Sequence, residues 1–167
     1  MRTINIATAV ITAIIGAAPI NAALAAPTCD VFRARLANAA SVLEIDAPII
    51  RTFREPDGFW QVMIGGWEDA SVLYCDKDGK VGSFLIALPW SLATATSEQL
   101  DMTRNMAAIA IYAYTGWNDP NKIINLAQDV CFEKAKLDRD EKGFKVDDGR
   151  IRITLIGRIA VVLAGPN

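Results

Sequence analysis

The stretch IIRTFREPDGFWQVMIGGWEDASVLYCDKDGKVGSFLIAL, residues 49–88, decides the fold. Three turn signals cut it. Glu55-Pro56-Asp57-Gly58 places Pro ahead of Gly, the order in which a fixed φ is followed by a residue that tolerates positive φ. Gly65-Gly66 and Asp76-Lys77-Asp78-Gly79 are the other two. The runs between them are short, aromatic- and β-branched-rich, and too brief for helices. Four strands are therefore expected, over residues 49–54, 59–64, 70–75 and 80–88, joined as a meander.

On the N-terminal side the period changes. Phe32, Leu36, Ala39, Ala40 and Leu43 recur at helical spacing, with Arg33, Arg35 and Asn38 pointing away. Thr28 is the expected N-cap, and Asp30 favours the positive end of the dipole. The helix must stop before Asp46-Ala47-Pro48, because Pro disfavours helix in the residue ahead of it. On the C-terminal side, Thr96 and Gln99 form a capping box that opens a helix over 97–115. Gly116 is placed to take the left-handed position that closes it. Asp119-Pro120 starts a third helix, a capping carboxylate followed by Pro at the first turn. It is expected to carry Ile123, Ile124, Ala127, Val130 and Cys131 inward and to end in the mixed charge run 133–142.

Phe144–Asp147, the turn Asp148-Gly149 and Arg150–Ile156 read as a hairpin, and Ile159–Leu163 as a last strand. The order is α-ββββ-αα-ββ(β). Strand blocks separated from helix blocks mean an α+β fold with a mainly antiparallel sheet and helices packed on one face. Asp-Gly recurs at 57–58, 78–79 and 148–149, but the flanks do not align as a repeat.

Residues 1–25 stand apart from this pattern. Arg2 precedes an apolar run from Ile4 to Ile15, no acid appears before Asp30, and Ala23-Leu24-Ala25 is an A-x-A cleavage site. Asn5, Thr8 and Thr12 interrupt the run, and Gly16 and Pro19 end it short of a bilayer span. The reading is a signal peptide over 1–25 and a single α+β domain over 26–167. No membrane span remains after cleavage, and the product is exported to the periplasm or the medium. Export puts Cys29, Cys75 and Cys131 in an oxidising compartment, where one disulfide and one spare thiol are expected. Cys75–Cys131 is the favoured pair because it ties the third strand to the third helix across a long loop, with Cys29 as the spare.

Composition narrows the chemistry. The 167 residues include no His, so Ser-His-Asp and Cys-His nucleophile pairs and His-ligated metals are excluded. Seventeen basic against 19 acidic side chains give a net charge of −2, which argues against nucleic acid as a partner. Asp76-Lys77-Asp78-Gly79 has the opening of a calcium loop without its remaining ligands, and Glu98 is the next Glu, so a turn is expected there. No cofactor or metal is expected. Glu68-Asp69 and Asp147-Asp148 are the carboxylate pairs available for acid/base work. They support an alternative reading as a His-free hydrolase or lyase. Trp67, Trp90 and Trp117 all fall in loops, where tryptophan can anchor a partner. The leading expectation is a small binding, inhibitor-type or accessory module that acts by contact with a protein partner or ligand in the cell envelope, more a binder than an enzyme. A structural subunit of an envelope or secretion assembly is the third reading.

Overall fold

The structure, a computed structural model, describes residues 25–92 and 94–129, and the backbone of three further strands. The expected signal peptide, apart from Ala25, lies outside the described residues, as do Val130, Cys131, the charge run and Asp147-Asp148. The element order is α1 (Cys29–Leu43), β1 (Ile50–Arg54), β2 (Trp60–Ile64), β3 (Ser71–Cys75), β4 (Val81–Ala87), α2 (Ser97–Thr115), α3 (Pro120–Gln128), β5 (Phe144–Val146), β6 (Ile151–Ile156) and β7 (Ile159–Ala164). The fold is α+β in the order expected.

The helix ends follow the local chemistry. Thr28 accepts from Val31 N at the start of α1. Thr96 and Gln99 complete the capping box of α2, and Asp119 accepts from Lys122 N at the start of α3 with Pro120 in its first turn. Gly116 closes α2 at φ 65°, and its N–H donates to Tyr112 O at 2.7 Å. Arg35 of α1 reaches the same helix end and donates to the carbonyls of Ala113 and Tyr114 at 3.5 and 3.4 Å. A cation there offsets the negative pole of the α2 dipole. A methyl group on Gly116 would meet this guanidinium. The Asp76 turn forms as expected: its carboxylate accepts from Asp78 N and Lys80 N at 2.9 and 2.8 Å.

The strands form one antiparallel seven-stranded sheet in the order β1-β2-β3-β4-β7-β6-β5. Register places Trp60, Leu73 and Phe84 in one row across it. Side chains alternate between the two faces, and the row's face is the core face. Val62, Ile64, Leu73, Phe84 and Ile86 are buried there against Phe32, Leu36 and Leu43 of α1. The Phe32 and Phe84 rings meet edge-on at 5.2 Å, a favoured aromatic geometry. Residues Met106–Ile111 are all buried, so α2 is enclosed on every side, which explains its Ala-rich run. Ile123 and Ala127 of α3 also enter the core, while Ile124 is half-buried.

The expected Cys75–Cys131 pairing is not the one found. Cys75 is bonded to Cys29, with Cα atoms 6.1 Å apart. The backbone explains the pair. Cys29 N donates to Gly79 O and Val81 N to Pro27 O, each at 2.9 Å, and Thr28 bridges Lys80. Residues 27–29 are thereby laid along the β3–β4 turn, which brings Cys29 to the end of β3. The loop closed spans 46 residues.

Candidate functional site

β1 is the first strand of the sheet, so among the described residues one of its sides has no neighbouring strand. It pairs with β2 from Ile50↔Ile64 to Arg54↔Trp60. The alternation of side chains divides this hairpin. Ile50, Thr52, Trp60 and Val62 face the helices. Arg51, Phe53, Gln61 and Met63 face the other way. On that outer side, Ile49, Arg51, Phe53, Gln61, Met63 and Trp67 line a groove of about 670 Å³, closed at one end by Gly65-Gly66. Gly66 has φ 80°, a conformation that favours glycine, and the turn it makes carries Trp67 back toward the hairpin. Ile49 is 70% exposed and Phe53 49%.

The helix side of the same hairpin is fully used. Arg33 of α1 lies over the Trp60 ring at 3.3 Å and donates from Nε to Thr52 Oγ1 at 3.0 Å. It also pairs with Asp30 at 3.2 Å. Trp60 is half-buried beneath this cation.

The three loop tryptophans have different settings. Trp67 and Trp90 are brought together, ring centres 5.3 Å apart and nearly perpendicular. Trp90 Nε1 donates to Thr103 Oγ1 at 3.1 Å, which locks the pair onto α2. Trp117 sits beyond the far end of α2. Its N–H donates to Thr115 Oγ1, and Lys122 lies 3.8 Å over its ring. Thr103 and Thr115 are separated by twelve residues of helix, roughly 18 Å at helical rise. Trp117 is thus not part of the Trp67–Trp90 patch. All three are half-buried and pack on the core. Of the three, Trp67 alone lines the groove.

Glu68 and Asp69 follow Trp67 on the β2–β3 turn and are exposed. Among the described residues no group of three or more His, Cys, Asp or Glu is arranged to hold a metal ion. Also among them, no helix is long and apolar enough to cross a membrane.

The groove residues Ile49, Phe53 and Met63 carry no motif. Their signal in the sequence is the apolar character of both strand parities in 49–53 and 59–64, where a half-solvated hairpin would show one polar face. No family model matches the chain, and neither does any curated protein or solved structure.

Proposed function

We propose that this chain is a small exported binding module that acts by contact, and that the outer groove of the β1–β2 hairpin is its contact surface. The groove carries the reading. It is concave, walled by Ile49, Phe53, Met63 and Trp67, and supplied with two polar groups, Arg51 and Gln61, that can orient what enters. An apolar patch left at the surface is costly unless a partner covers it. Trp67 is a wall braced from behind by Trp90 and Thr103, so it can present a ring without rearranging. An apolar segment of an envelope protein, or an apolar ligand of similar width, suits these walls. Export is supported by the leader-like residues 1–25 and by the Cys29–Cys75 disulfide, which persists in an oxidising compartment.

The test compares Ile49→Asp and Trp67→Ala with the parent protein, residues 26–167, as baits in envelope extract. Ile49 is so exposed that its replacement should leave the thermal midpoint unchanged. The reading expects a partner retained by the parent and by an Asn38→Ala control on the exposed side of α1, and lost by Ile49→Asp. Equal recovery by all the baits, or none by any, counts against it.

A further inference from the structure

We infer that β1 pairs with β1 of a second copy of this chain, antiparallel, about a two-fold axis at Phe53. Two hydrogen bonds fix which groups are free. Gly65 N donates to Ile49 O at 2.8 Å and Glu55 N to Phe59 O at 3.0 Å. Main-chain groups alternate along an antiparallel strand, so Ile49, Arg51, Phe53 and Glu55 turn theirs toward β2. Ile50, Thr52 and Arg54 turn theirs outward. Among the described residues those outward N–H and C=O groups have no hydrogen-bond partner. An open edge of this kind is a template for another strand. β1 lacks the proline, glycine or bulge that would spoil pairing.

Charge and parity select the occupant. Outward groups must meet outward groups, so Ile50, Thr52 and Arg54 can face only even-numbered residues across a two-fold axis. Registers centred on the three interior residues, Arg51, Thr52 and Phe53, satisfy this. Centring on Arg51 sets two guanidinium groups directly opposite, which is unfavourable. Centring on Thr52 leaves Arg51 facing Phe53 and Glu55 facing Ile49. Centring on Phe53 sets Arg51 opposite Glu55 of the second copy, twice, with the two Phe53 rings between these pairs. Arg51, Phe53 and Glu55 then occupy non-hydrogen-bonded positions, where facing side chains lie closest. Thr52 and Arg54 exchange main-chain hydrogen bonds across the seam. Neither Arg51 nor Glu55 has a side-chain partner among the described residues, and Phe53 is half exposed. Each is supplied with one by the copy.

The seam is short, below the roughly 1,000 Å² of a stable assembly, so association is expected to be weak and concentration-dependent. It does not rest on what fills the groove, and Ile49→Asp or Trp67→Ala should leave it in place. Sedimentation equilibrium of residues 26–167, taken up to about 1 mM so that a dissociation constant of that order is seen, should show a reversible monomer–dimer equilibrium. Arg51→Glu and Glu55→Arg should each weaken the dimer at least tenfold, and the double swap should restore it. Thr52→Pro, which removes an outward N–H, should abolish it. A monomer at every concentration overturns the inference. So does a dimer indifferent to the single charge changes, or one that the double swap fails to rescue.

Discussion

The two faces of the β1–β4 meander are made by the same strands and differ in what lies over them. On the inner face, Val62, Leu73, Phe84 and Ile86 are sealed beneath α1 and α2. On the outer face, Phe53 is 49% exposed and Tyr74 55%, with Met63, Val72 and Leu85 half-buried beside them. Both faces carry large apolar side chains. In an antiparallel sheet with one solvated side, alternation ordinarily leaves that side polar. Here alternation decides which residues go to the core and which to the surface proposed for contact. Hydrophobicity alone does not separate the two sets; helix cover does.

Substitutions on the two faces should therefore differ sharply. Phe84→Ala removes a fully buried ring that packs on Phe32, and about 3–5 kcal/mol of stability should go with it, read by denaturant unfolding. The disulfide sits on the inner side of this comparison. Replacing Cys29 and Cys75 together by Ser should cost about 4 kcal/mol, since the bond closes a 46-residue loop. Thiol counting on the unreduced, denatured protein should find neither of these cysteines free. Gly116→Ala at the end of α2 should cost about 2 kcal/mol, because the new side chain is strained at φ 65° and displaces Arg35 from its carbonyls. Tyr74→Ser on the outer face should fall within about 0.5 kcal/mol of the parent. If Tyr74→Ser proves as costly as Phe84→Ala, the outer face is core and the comparison fails.

Local signals made most of the fold legible. The caps Thr28, Thr96 with Gln99, Gly116 and Asp119-Pro120 each act through hydrogen bonds within four residues, and each element starts or stops where they stand. The Asp-Gly turns at 57–58 and 78–79 likewise set the strand ends beside them to within a residue. What the sequence withheld was long-range. That β4 lies beside β7, across both helices, depends on sheet order, which no local pattern encodes. The Cys29–Cys75 bond depends on residues 27–29 lying along the β3–β4 turn, and the helical stripe that holds Cys29 gave no hint of that contact.

The groove was illegible for the same reason. Ile49, Phe53 and Met63 form a site because no described helix lies over their side of the hairpin, and helix cover is a property of the whole fold. The tryptophans were legible as candidates by type and loop position. Their grouping was not, since Trp67 and Trp90 meet across a gap in sequence while Trp117 is held at the opposite end of α2.

The open edge of β1 is the claim on which the two-copy seam stands. Amide hydrogen exchange, resolved residue by residue along Ile50–Arg54, tests it directly. In dilute protein, Arg51 and Phe53 should be protected by their bonds to β2, while Ile50, Thr52 and Arg54 exchange quickly. Uniform protection of all five amides in dilute protein would contradict the account, because the edge would then already be covered within the single chain.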